Sequence, residues 1–311
     1  MSCITFPEGV LPMRLTRLLS VTAAAAALVV AGASAASAAP ATRDFDFDGG
    51  DPAGTVLDGD GQATPFTSVV GTYDAPLIDL RAGQAPTGVL GVTATQGSNF
   101  GAGNTMKNGL DITFDSDGTK VIGARIIGSK NLTKSTQQAG VYLGPDQDNY
   151  VKLVATATGQ GPKIQLAREI NGNATTAGQV SFTAQEWADI DTLDVFLRAD
   201  SSSGEVTADY VIDGGVRQIV TNTGDGLPSV VNISAANRPT FFGTDAHAGI
   251  LAFTVNAPDV AVEYDWFRID QCVATGGNPS VGDVHPGDGD TGVTLDAAVT
   301  AEVNLPNCGG V

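Results

Sequence analysis

Oxygen donors recur along this chain at spacings that suit a hard cation. Asp44-x-Asp46-x-Asp48-Gly49 repeats the front half of a calcium loop, in which alternate carboxylates face one ion and a glycine turns the chain. The twelfth position of such a loop would be Thr55, where a bidentate glutamate is needed. Asp58-Gly59-Asp60 and Asp115-Ser116-Asp117 could add oxygens, but such sequences equally make turns. Phe45 and Phe47 alternate with the first aspartates as strand residues do, so an acidic edge strand is the competing reading. Calcium is the one cofactor this pattern suggests, with Asp44, Asp46, Asp48, Asp58 and Asp60 as candidate ligands.

Other chemistries have less to build on. His247 and His285 are the only histidines, and they stand in different segments without zinc-ligand spacing to Cys272 or Cys308. No Gly-x-Ser-x-Gly elbow exists, and no glycine-rich phosphate loop opens a helix. The charge balance excludes further classes. With 34 acidic against 16 basic residues in 311, the net charge is -18. Such a chain is a poor ligand for nucleic acid or an anionic membrane, because both rest on lysine and arginine.

The N-terminal segment reads as a targeting signal. Arg14 and Arg17 precede an apolar run over residues 18–30, followed by small residues ending in Ala36-Ser37-Ala38. This is the order of a secretory signal peptide, cleaved after Ala38, with Met1 or Met13 as the start. Export implies a secreted or cell-surface protein with no membrane insertion after cleavage. Cys272 and Cys308 are then the two cysteines of the mature chain. In an oxidising compartment such a pair is expected to form a disulfide, with two free thiols as the alternative.

The elements that must position any site are strands. Period-2 alternation runs through residues 138–143, 149–156, 163–170, 193–199, 205–212, 216–220, 248–255 and 259–269. Asn171-Gly172 and Asp213-Gly214 supply the positive-φ positions of tight hairpins. One helical turn fits residues 183–189. The expected fold is all-β, a two-sheet antiparallel jelly-roll β-sandwich. Its core is expected to take Val141, Leu143, Val151, Leu153, Ile164, Leu166, Leu193, Val195, Leu197, Val206, Tyr210 and Ile212. The organisation is a signal over 1–38, a short tail over 39–43, the sandwich over 44–270, a linker over 271–279 and a further segment over 280–311.

Several stretches carry a family resemblance. They include Gly54-Thr55-Val56-Leu57-Asp58, Gly144-Pro145-Asp146-Gln147-Asp148-Asn149-Tyr150-Val151, Asp213-Gly214-Gly215 and Tyr264-Asp265-Trp266-Phe267-Arg268-Ile269. Together they resemble the concanavalin A-like lectin/glucanase superfamily, and within it the laminin-G-like jelly rolls of secreted bacterial proteins. Residues 280–311 resemble the opening strands of a bacterial immunoglobulin-like module. The resemblance implies an accessory module beside sugar-active or adhesive domains.

A glucanase of that superfamily carries Glu-x-Asp-x-Glu or its bulged form on one strand, so that two carboxyls stand about 5 Å apart. Glu263-Tyr264-Asp265 begins the motif, but Trp266, Phe267 and Arg268 follow, so the acid/base carboxylate is missing. The chain is therefore expected not to be an enzyme. The remaining candidate is a sheet face with aromatic rings, on which sugars stack while polar side chains bond their hydroxyls. Tyr142, Asp148, Asn149, Tyr150, Lys152, Phe196 and Arg198 are the expected ligand residues, and an extracellular glycan or surface component the expected partner. A spacer without a ligand of its own is the alternative, and a glycoside hydrolase a third.

Overall fold

The computed structural model describes residues 42–82, 88–101, 103–222, 224–244 and 246–271. The signal segment, Cys272, Cys308 and the C-terminal segment resembling an immunoglobulin-like module lie outside them. The regular secondary structure of the described residues is almost entirely strand. In chain order they form β1 (Arg43–Phe45), β2 (Ser68–Val70), β3 (Ile78–Arg81), β4 (Val89–Gln96), β5 (Gly109–Phe114), β6 (Thr119–Ile127), β7 (Gln138–Asp146) and β8 (Asn149–Thr158). Then follow β9 (Gly161–Ile170), β10 (Asn173–Ser181), α1 (Ala184–Ala188), β11 (Thr192–Asp200) and β12 (Glu205–Ile212). The last are β13 (Gln218–Ile219), β14 (Val230–Asn232), α2 (Arg238–Phe241), β15 (Ala246–Thr254) and β16 (Val260–Gln271). No described helix is long and apolar enough to cross a membrane.

The strands make two layers. The front sheet runs β3-β4-β16-β6-β11-β12, with β1 beside the C-terminal half of β16 and β13 and β14 on β12. The back sheet runs β10-β9-β8-β7-β15-β5-β2. Pairing within each sheet is antiparallel, as expected. The layers also meet along one short parallel contact, Phe253↔Thr95 and Thr254↔Gln96, between β15 and β4. This parallel contact was not anticipated.

One apolar core fills the space between the layers. Val141, Leu143, Val151, Leu153, Ile164 and Leu166 enter from the back sheet, and Leu193, Val195, Leu197 and Val206 from the front. Tyr210 joins this core and Ile212 packs at its margin, so the alternating pattern located the inner face correctly. Each such side chain contributes roughly 1.5–3 kcal/mol by leaving water. The hairpins at Asn171-Gly172 and Asp213-Gly214 both have positive φ at both residues. The predicted helical turn is α1, whose capping box joins Thr183 and Glu186. It buries Trp187, whose Nε1 donates to the Ser129 carbonyl at 3.1 Å.

One irregularity decides what the front sheet presents to solvent. The β16–β6 register shifts between Tyr264 and Trp266, leaving Asp265 as the extra residue of a β-bulge. Tyr264 points into the core, Asp265 and Trp266 both lie on the outer side, and Phe267 returns to the core. Strict alternation from Tyr264 would have turned Trp266 inward.

Candidate functional site

The outer face of the front sheet is an aromatic pair framed by guanidinium–carboxylate pairs. Phe196 on β11 and Trp266 on β16 meet with ring centroids 5.9 Å apart. Gly123, on β6 between them, permits this. A Cβ there would lie 2.7 Å from Phe196 Cδ1 and 3.2 Å from Trp266 Cζ3. Arg217 lies over the Phe196 ring at 4.1 Å. Arg268 and Arg125 approach the Trp266 ring at 5.0 and 5.7 Å. Cations over ring faces at these distances are attracted by the ring quadrupole.

Acidic partners hold those arginines in place. Arg125 grips Asp194 through Nε at 2.7 Å and Nη2 at 3.1 Å, and also meets Asp265. The hydrogen bonds to Asp194 raise the Arg125 pKa despite burial. Arg268 Nε donates to Asp44 at 2.6 Å. Asp209 receives Arg217 Nε at 3.1 Å and stands 3.6 Å from Arg198 Nη2. Burial is the main cause lowering the Arg217 pKa, and the neighbouring charge of Arg198 adds to it. Planar donors and acceptors fixed around two rings are the groups sugar hydroxyls and ring faces require.

The structure divides the expected ligand face. Phe196 and Arg198 belong to the front sheet, whereas Tyr142, Asp148, Asn149, Tyr150 and Lys152 belong to the back sheet or its β7–β8 turn. Nor do the back-sheet tyrosines line an open surface. Tyr142, Tyr150 and Lys152 are only 1–2% exposed. The cause is the connection between β4 and β5, which crosses the outer side of the back sheet as a strap. Its Asn99 side chain accepts from Lys152 Nζ at 2.7 Å, and Gly101 N donates to Glu169 at 2.9 Å. Asn104 donates to Asp148 at 2.7 Å, and Met106 N donates to Gln147 at 3.0 Å. Asn149 serves the turn, receiving the Asn171 N–H and donating to Asp146.

Beneath the strap the Lys152 ammonium stands 4.8 Å from the Phe253 ring centroid and 5.2 Å from that of Tyr150. Burial pushes Lys152 down to about 7, with Glu169 opposing the shift. Burial likewise raises Glu169, Tyr142 and Tyr150. A cleft of about 300 Å³ opens where the strap leaves β4, lined by Gln96, Gly97, Ser98, Thr105, Val255 and Asn256. None of these side chains is ionisable.

Four of the five calcium candidates accept hydrogen bonds within the chain. Asp44 pairs with Arg268, Asp46 accepts the Asp48 N–H, and Asp48 accepts the Gly88 N–H. Asp58 accepts three backbone N–H groups, from Asp60, Gln62 and Leu80. The Asp60 N–H is one of those donors, so this pair forms a turn. Among the described residues no group of three or more histidine, cysteine or acidic side chains could hold a metal. Glu263 meets Arg81 at 2.5 Å and Asp265 faces Arg125, so both acids of the incomplete glucanase motif sit in ion pairs.

Sequence reading missed Arg125, Arg217, Arg268 and Trp266, the last only 8% exposed, as neighbours of Phe196 on the outer side of the front sheet. The only available signal was the pair of aromatic-bearing strands around residues 196 and 266. Without the bulge their rings could not be placed together.

Residues 129–270 match the family model described as the beta xylosidase C-terminal concanavalin A-like domain. No curated protein matches. Among solved structures, the chain is similar to the xylan beta-1,4-xylosidase from Bacillus halodurans C-125. The TM-score is 0.51 at 12% identity, over 73% of this chain and 39% of that one. It is also similar to a bifunctional GH43-CE protein of Bacteroides eggerthii, with a TM-score of 0.51 at 14% identity, over 74% of this chain and 26% of that one. The chain thus spans well under half the length of these proteins, and identities this low bear on fold alone. At that level the two-layer architecture and the family match agree: the chain is an all-β, concanavalin A-like β-sandwich.

Proposed function

We propose that this chain is an exported, non-catalytic module that binds carbohydrate on the outer face of its front sheet. The observation that carries the reading is the Phe196–Trp266 pair over Gly123, framed by fixed Arg–Asp pairs. The match of residues 129–270 to a domain of beta xylosidases supports a carbohydrate setting. Non-catalytic action is supported by Trp266, Phe267 and Arg268 standing where the motif needs its second acid, and by the engagement of Glu263 with Arg81. Export is supported by the order of charges and apolar residues in the first 38 positions.

The test is binding to immobilised xylan and a panel of neutral and acidic polysaccharides, with Phe196→Ala and Trp266→Ala as variants. Wild type is expected to bind and each variant to lose about tenfold or more in affinity, as removal of a stacking ring does at other binding surfaces. Absence of binding to every polysaccharide would leave the spacer reading in its place. Hydrolysis by wild type that disappears in Glu263→Gln would overturn the non-catalytic assignment.

A further inference from the structure

Five arginines reach the outer face of the front sheet, and four are engaged in hydrogen bonds. Arg81 meets Glu263, Arg125 holds Asp194 with two nitrogens, Arg268 holds Asp44, and Arg217 donates to Asp209. Arg198 differs. Its Nη2 is 3.6 Å from Asp209, beyond hydrogen-bond range, and its buried Nε has no acceptor among the described residues. Arg217 Nη2 lies 3.0 Å from Asp209 but makes no aligned hydrogen bond. Two guanidiniums therefore share one carboxylate, which leaves Arg198 without a hydrogen-bonded acid of its own. About a quarter of each side chain is exposed, 27% for Arg198 and 26% for Arg217, whereas Arg198 Nε and Arg217 Nη2 are themselves buried, so a ligand would meet the other guanidinium nitrogens.

The chemistry that would complete this arrangement is a second carboxylate. A carboxylate accepts two parallel N–H bonds from a guanidinium fork, and such charge-assisted bonds are the strongest of their kind. It must come from a ligand with an apolar face, because the Phe196 ring lies directly under Arg217 and the Trp266 ring beside it. Among sugars, a uronate combines a C–H face with a planar carboxylate. We infer that Arg198 and Arg217 form a subsite for the carboxylate of a uronate residue in the bound glycan. The inference rests on the carbohydrate reading of this face and names its ligand class. A net charge of -18 repels polyanions in general, so a preference for an acidic sugar would have to arise at this local site.

The test is calorimetric titration of the full chain with a glucuronate-substituted xylo-oligosaccharide and with the same oligosaccharide after carboxyl reduction. Wild type is expected to bind the acidic form about tenfold to a hundredfold more tightly. Arg198→Gln should bring the ratio of the two affinities to about one, and Arg198→Lys should restore part of the preference. Thermal unfolding of each variant checks that it is folded. Equal binding of both oligosaccharides by wild type, or a preference retained in Arg198→Gln, would overturn the uronate subsite and leave the carbohydrate reading standing. Binding of neither would overturn both.

Discussion

Phe196 and Trp266 come from strands 70 residues apart in the chain and meet at 5.9 Å only because residue 123, on the strand between them, has no side chain. Gly123→Val is therefore expected to push the rings apart. A β-branched residue suits a strand in general, but here its Cβ would lie 2.7 Å from Phe196. The expected cost is about 1–3 kcal/mol, the range for overpacking, together with loss of glycan affinity. Denaturant unfolding and near-ultraviolet circular dichroism would measure it. Unchanged stability and aromatic signal would mean that the pair is not fixed by Gly123.

Lys152 makes the pH dependence of stability testable. Its pKa is pushed down to about 7 from an ordinary 10.5, chiefly by burial. Between those values the unfolded chain holds a proton that the folded chain has released. Stability therefore rises with pH across the window, by at most about 1.4 kcal/mol per pH unit. Below about 7 the full cost of the buried charge is present. Lys152→Met removes this term, although it leaves the acceptors of Asn99 and Gln138 without their donor. The stability of Lys152→Met relative to wild type should be more favourable at pH 6 than at pH 10. Equal differences at the two values would refute the assignment.

What the sequence disclosed and what it hid follow one physical line. The inner face was readable because Val141, Leu143, Val151 and Leu153 alternate with residues of another kind, and a half-buried strand has period 2. Hairpins were readable because Asn171-Gly172 and Asp213-Gly214 tolerate positive φ. The outer faces were not readable, because what covers them is remote in sequence. The strap that buries Tyr142, Tyr150 and Lys152 comes from around residue 100, and nothing near those positions announces it. Their aromatic character was the available hint, since large rings on a supposedly wet face call for a cover or a ligand. The strands before β7 were hidden for a related reason. Gly91, Gly109 and Gly123 interrupt the alternation of β4, β5 and β6, and β6 is buried at most positions on both faces.

The hydroxyl of Tyr264 joins the two layers from inside the core. It accepts the Gly140 N–H at 3.0 Å and donates to the Leu251 carbonyl at 2.7 Å, on β7 and β15 of the back sheet. Tyr264→Phe keeps the ring and strands both backbone groups in an apolar interior. A loss of roughly 1–3 kcal/mol is expected, with little change in denaturant slope. A variant as stable as wild type would show that those groups find other partners.

Asp58 separates a structural role from a metal-binding one. Its two oxygens gather backbone N–H groups from Asp60 and Gln62 in its own turn and from Leu80 at the start of the front sheet, and the residue is almost fully buried. Asp58→Ala leaves these donors without an acceptor, a loss expected at about 2–3 kcal/mol, because hydrogen bonds to a charged group exceed neutral ones. Asp58→Asn should lose less, since one carbonyl oxygen can still serve the turn while the amide nitrogen opposes the Leu80 N–H. The decisive measurement is the midpoint of thermal unfolding for wild type and both variants, with and without a calcium chelator. If the carboxylate works through backbone hydrogen bonds, the chelator shifts none of the three midpoints and the order wild type, Asn, Ala is kept. A wild-type midpoint that falls with chelator, while that of Asp58→Ala does not move, would make Asp58 a calcium ligand instead.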